Sequence, residues 1–77
     1  MPTVISVNGF RFFFYSNDHD PMHIHVEKEN KTAKFNINPI ELVRSSRFNA
    51  NELKKIRILI EENLELFKDN WNDYFNS

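Results

Sequence analysis

Thr3-Val4-Ile5-Ser6-Val7-Asn8-Gly9-Phe10-Arg11-Phe12-Phe13-Phe14-Tyr15 decides the fold. Asn-Gly between two runs of β-branched and aromatic residues predicts a type I′ turn, because that turn needs positive φ at both central positions and these residues tolerate it best. Thr3–Val7 and Phe10–Tyr15 are therefore expected to pair as a β-hairpin. Residues flanking a two-residue turn face each other, so Val7 opposes Phe10 and Ile5 opposes Phe12 on one face, which Phe14 joins. The other face receives Val4, Ser6, Arg11, Phe13 and Tyr15.

Working outward, the polar loop Ser16-Asn17-Asp18-His19-Asp20-Pro21 leads into His23-Ile24-His25-Val26-Glu27, whose period-2 alternation predicts a third strand. Glu29-Asn30 reads as a second turn, after which Lys31–Ile37 alternates again. With Lys28 opposite Lys31, Val26 faces Ala33 and Ile24 faces Phe35, so both hairpins agree on one apolar and one mixed face. Asn38-Pro39-Ile40-Glu41 has the pattern of an N-cap, a proline at the first helical position and a glutamate at N3, which predicts a short helix near 39–46. Asn49-Ala50-Asn51-Glu52 repeats the device. From there Leu53, Ile56, Ile60, Leu64, Phe67, Trp71 and Phe75 recur at helical spacing. About 26 helical residues would span roughly 39 Å, against about 20 Å for a six-residue strand. Either the helix bends near Asn63, or its second half covers something other than its own sheet. Ile58, Leu59 and Leu66 widen the apolar arc, which points to a partner or a homodimer surface with Leu66, Trp71, Tyr74 and Phe75 as its candidates, the alternative being plain core packing. The expected fold is α+β: a three- to four-stranded antiparallel β-meander packed on one face by a long C-terminal α-helix.

Seventy-seven residues without cysteine, 27% charged and 40% hydrophobic, fit one soluble domain. At this length a single thin core must be built from few large side chains, and eight Phe, two Tyr and one Trp supply them. The lack of cysteine excludes a disulfide framework, a thiolate nucleophile and a Cys-bearing zinc site. No leader and no apolar stretch near 18 residues is present, so a cytoplasmic location without membrane attachment is expected. The net charge of −1 conceals polarity along the chain. Residues 1–57 hold nine Lys/Arg against six Asp/Glu, and residues 58–77 hold one against five. A basic front suits an anion, and an acidic tail suits a basic partner. Arg44, Arg47, Lys54, Lys55 and Arg57 surround the start of the long helix and form a candidate anion-binding cluster.

All three histidines fall within seven positions, His19, His23 and His25. Strand parity puts His23 and His25 on the mixed face with Arg11, Phe13 and Tyr15. One reading is metal-free acid/base chemistry on RNA, with His19, His23 and His25 exchanging protons, Arg11 or Lys34 holding phosphate, and Tyr15 and Phe13 stacking on a base. It needs no cofactor. A second is a divalent-metal site on His19, His23 and His25, in which Asp18, Asp20 or Glu27 completes a two-His, one-carboxylate set. The third is structural: a loop histidine, two strand histidines, and Arg11 paired with Glu27.

Met1-Pro2-Thr3-Val4, the segment Gly9–His19, the segment Pro21–Val26 and the Glu52-Leu53…Ile56…Glu61-Glu62…Trp71 helix together resemble a small prokaryotic family, the domain of unknown function four-one-six-zero. The resemblance covers nearly the whole chain. It implies no established activity, but places the protein in a two-gene, toxin–antitoxin-like module, with a cognate small protein from the adjacent gene as partner. It also keeps RNA in view as a substrate, since some small sheet-plus-helix toxins cleave RNA with a single histidine.

Overall fold

The Asn8–Gly9 turn forms as its residues require. In the computed structural model, which describes residues 3–18 and 21–75, both positions have positive φ, 53° and 84°. They join β1 (Thr3–Val7) to β2 (Phe10–Phe13), with Val7 opposite Phe10 and Ile5 opposite Phe12. β3 (His23–Lys28) and β4 (Lys31–Ile37) pair in the expected register, Lys28 with Lys31, Val26 with Ala33 and Ile24 with Phe35.

The expected short helix near 39–46 is instead a fifth strand, β5 (Ile40–Ser46), so the meander runs β1-β2-β3-β4-β5. Asn38 and Pro39 make the two-residue reversal between the paired Ile37 and Ile40, with the Asn38–Pro39 peptide cis. β-Branched Ile40 and Val43 suit a strand, and pairing with β4 satisfies backbone groups that a helix would have left open on the β4 edge. The register slips once along this pair: Lys34 opposes Arg44 while Phe35 opposes Leu42, leaving Val43 as a bulge.

The C-terminal helix is two helices, α1 (Ala50–Glu62) and α2 (Leu64–Phe75). Asn49 caps α1 through a reciprocal capping box with Glu52, and Glu52 also reaches Lys31 on β4 at 2.8 Å. Asn63 ends α1 outside the helical region, at φ −115° and ψ 19°, and its side-chain amide donates to Leu59 O. The break lets α2 stay on its own sheet rather than overhang it. Every residue of the expected stripe reaches the core: Ile56, Ile60, Phe67 and Trp71 are buried, and Leu53, Leu64 and Phe75 pack against them. Phe67 meets Phe12 at 5.3 Å between ring centroids. Each fully buried Phe or Ile contributes roughly 1.5–3 kcal/mol, which is how a sheet and two short helices hold together at this size.

One face of the sheet is therefore covered by α1 and α2. The other carries Arg11, Phe13, His23, His25, Lys34 and Arg44, in register across the strands. No helix among the described residues is long and apolar enough to cross a membrane.

Candidate functional site

His23 and His25 leave β3 on the same face, two residues apart, and their rings meet edge to face at 5.1 Å. Both are buried, at 4% and 9% exposure. The carboxylate comes from the β2–β3 connection. Asp18 N–H donates to Tyr15 O, and Tyr15 N–H donates back to Asp18 Oδ2 at 2.8 Å, a tight reciprocal turn that folds Asp18 over the sheet. Asp18 Oδ2 then lies 3.2 Å from both His23 Nε2 and His25 Nε2. The three potential ligand atoms all lie within 4.8 Å of one another.

The two imidazoles differ in how their protons are held. His23 Nδ1 is 2.7 Å from Pro21 O; a carbonyl oxygen only accepts, so Nδ1 carries a proton, and in the neutral tautomer this leaves Nε2 as a lone pair. That Nε2 is buried and has no hydrogen-bond partner, despite its short distance to Asp18. His25 Nε2 is within hydrogen-bond distance of the same oxygen. Burial lowers the proton affinity of His25, and nearby His23 and Lys34 lower it further, outweighing the attraction of Asp18. Burial alone would raise the Asp18 pKa, but the Tyr15 N–H and the two imidazoles more than offset it, so the carboxyl is held below its ordinary value. The site is thus a carboxylate facing the Nε2 atoms of two imidazoles, with Nδ1 of His23 committed to the Pro21 carbonyl.

Aromatic neighbours fix these rings. Phe13 stacks on His25 at 5.4 Å, and Tyr15 meets it edge-on at 4.8 Å. Trp71 packs on His23 at 5.0 Å. At 3% exposure Trp71 is a core residue that closes one side of the site. Phe75 is half-buried against the core, while Leu66 and Tyr74 remain exposed. Of the four expected interface residues, two are thus at the surface.

The other sequence candidates are placed as follows. Arg11 is engaged: Nε and Nη2 bind Glu27 Oε1, Nη1 reaches Thr3 Oγ1, and the guanidinium lies over Phe13. Tyr15 is beside His25 and 43% exposed. His19 and Asp20 lie outside the described residues. The expected basic residues are spread over several places: Arg44 is on the open sheet face beside Lys34, Arg47 sits at φ 74° before α1, Lys54 and Arg57 line one cleft on the helix side, and Lys55 lines another. A cavity of about 460 Å³ on that side, walled by Phe10, Ile58 and Leu59, is larger than the depression of about 250 Å³ beside His25. Its shape alone gives it no chemistry, whereas the smaller one adjoins the histidine–aspartate cluster.

The sequence presents Asp18 only as one of several carboxylates, because nothing in the spacing shows which one the loop folds back. The supporting roles of Phe13 and Trp71 are likewise hidden among ordinary core aromatics. Residues 9–72 match the family model of Domain of unknown function (DUF4160), and the chain belongs to that family. No curated protein and no solved structure matches the chain.

Proposed function

We propose that this protein binds a divalent transition-metal ion through His23 Nε2, His25 Nε2 and Asp18. The observation that carries the reading is the His23 lone pair. A bare imidazole nitrogen buried 3.2 Å from a carboxylate oxygen is electrostatically unfavourable unless a cation stands between them. A proton on Nε2 would make an ion pair with Asp18, but the 3.2 Å contact is poorly aligned for a hydrogen bond, whereas a metal ion does not need that alignment. Metal–ligand bonds near 2.0–2.2 Å place neighbouring ligand atoms roughly 3 Å apart; the two His–Asp separations of 3.2 Å meet this, and the full spread of up to 4.8 Å requires the ligands to draw together on the ion. The Pro21 carbonyl on Nδ1 is the outer-sphere partner that metal-bound histidines commonly have. Two imidazoles and one carboxylate suit Zn²⁺, Fe²⁺ or Ni²⁺ better than the all-oxygen preference of Ca²⁺ or Mg²⁺.

This reading is favoured over metal-free acid/base chemistry on RNA because both imidazoles turn Nε2 toward one carboxylate oxygen rather than toward the open groove. The test is calorimetric titration of Zn²⁺ into chelator-treated protein lacking a polyhistidine tag. One equivalent is expected, and Asp18→Asn or His23→Gln should weaken it by more than the ~10–100-fold that loss of an outer-sphere partner costs. No uptake, or equal uptake by the variants, would overturn the reading.

A second observation favours a protein partner. Ile58, Leu66 and Tyr74 are exposed apolar side chains on α1 and α2, and acidic residues Glu61, Glu62, Glu65, Asp69 and Asp73 accompany them. A basic partner, as in a toxin–antitoxin-like gene pair, fits this side. Co-expression with the adjacent gene product should give a complex that Leu66→Ala with Tyr74→Ala weakens; recovery of two separate proteins would contradict it.

A further inference from the structure

Across the open face, Phe13, His25, Lys34 and Arg44 stand directly opposite one another on β2, β3, β4 and β5. At about 4.8 Å between strands, this row runs roughly 14 Å from an aromatic end to a cationic end. Lys34 and Arg44 are like charges in direct cross-strand register, which destabilises a sheet. Neither has an ion-pair partner among the described residues. Three carboxylates reach this face: Asp18, folded over it from the β2–β3 connection, is engaged by the Tyr15 N–H and the two histidines, Glu27 is held by Arg11, and Glu41, opposite Asn36, forms no ion pair among the described residues.

The Val43 bulge creates this juxtaposition. Without it, β5 would continue in simple register from Phe35–Leu42, so that Val43 would oppose Lys34 and Arg44 would turn to the helix-covered face. One inserted residue re-aims Arg44 to lie beside Lys34, a use bulges commonly have next to functional sites. The two cations then line the depression of about 250 Å³ that also contains His25, Phe13 and the half-exposed Tyr15 ring.

We propose that this groove binds the phosphate group of a nucleotide unit, Lys34 and Arg44 taking the phosphate oxygens and Tyr15 flanking the base. An anion between the two cations relieves their repulsion, and Arg and Lys suit phosphate oxygens through charge-assisted hydrogen bonds. The volume lies below the roughly 300–1,000 Å³ of a pocket that encloses a drug-sized ligand, so the groove takes the phosphate and leaves the base at its Tyr15 edge. The site goes beyond the metal centre and stands without it, sharing only the His25 wall.

The test uses metal-free protein held in chelator at about 50 mM salt, where phosphate interactions are strong. Adenosine monophosphate and a fluorescent oligouridylate are the probes, followed by amide chemical shifts and by anisotropy. Binding is expected to shift the Tyr15, Lys34 and Arg44 amides, and Lys34→Gln with Arg44→Gln should weaken it at least about tenfold. The salt dependence of oligonucleotide binding should fall by about 1.4 in log–log slope, as expected when two cations no longer neutralise phosphates of a single strand. Lys54→Gln with Lys55→Gln, on the helix side, should bind like the wild type. Equal affinity for both probes would identify a free nucleotide as the source of the phosphate, and tighter oligonucleotide binding would identify a strand. The proposal is overturned by no binding of either probe at millimolar concentration, by unchanged affinity in a double variant that unfolds cooperatively at or above the wild-type midpoint, or by equal binding of a polyglutamate peptide. Because chelator is present throughout, failure here leaves zinc uptake untouched, and failure of zinc uptake leaves this result standing.

Discussion

On β3, Ile24 and Val26 point to the helices while His23 and His25, one residue away, point to the opposite face. All four are buried, yet the two pairs are buried to different ends. Ile24 and Val26 belong to the apolar core and need nothing more. His23 is closed in by Trp71 while its Nε2 lacks a hydrogen-bond partner, and its face goes on to align two cations. Polar groups buried without partners reduce stability, so the contrast separates a face arranged for folding from the one on which the proposed ligands would sit. Substitutions should divide accordingly, with the covered face governing stability and the open face governing response to metal and anion.

The largest effect expected is on the covered face. Phe12→Ala removes a fully buried ring packed on Phe67 and should destabilise the protein by about 3–5 kcal/mol in urea unfolding. A loss below about 1 kcal/mol would show that the helices do not seal this face. Next is the zinc response. At about 100 times its Kd, Zn²⁺ should stabilise the wild type by about 2.7 kcal/mol, and Asp18→Asn should abolish that shift while leaving the metal-free protein folded. An identical shift in both proteins would erase the distinction between the faces.

Acidification of the metal-free protein should give a smaller, graded loss of stability. His25 binds a proton less readily when folded than at its ordinary pKa of 6.5, so as pH falls through and below 6.5 the unfolded chain takes up more protons and stability falls. Asp18 is also held below its ordinary 3.8, so its contribution is present above that pH and is lost as pH falls through its folded value. Both slopes have the same sign, and His25→Gln should flatten the upper one; stability rising on acidification from about pH 7 to about pH 5 would contradict this arrangement. Smallest of all, Lys34→Gln should raise stability by roughly 0.2–1 kcal/mol by removing the like charge opposite Arg44. Thermal unfolding at low salt measures this, and a loss of stability would mean that Lys34 has a stabilising role in the unliganded sheet.

Much of the covered face is legible in the sequence. Asn8-Gly9 sets the first hairpin and its register, and the recurrence from Leu53 to Phe75 names the packing stripe. The break at Asn63 is one of two readings because periodicity continues across it. Residues 39–46 mislead because Asn-Pro serves two local structures: a helix N-terminus with proline at N1, or a chain reversal, and only pairing with β4 separates them. That same strand hides the candidate anion groove, since Arg44 reaches Lys34 through a bulge that no residue pattern announces. At the proposed metal centre the two histidines are visible from strand parity. Asp18 does not stand out, because its place depends on the reciprocal turn with Tyr15, and Trp71 reads as an interface anchor until the bend returns α2 to the sheet.

The most direct measurement of the central claim is a long-range ¹H–¹⁵N spectrum of the histidine side chains, recorded without and with one equivalent of Zn²⁺. The account predicts a His23 protonated at Nδ1 in the metal-free protein, and zinc-dependent shifts at Nε2 of both His23 and His25 with Nδ1 of His23 still protonated. A His23 ring that carries its proton on Nε2, and keeps it there at saturating Zn²⁺, would contradict the account.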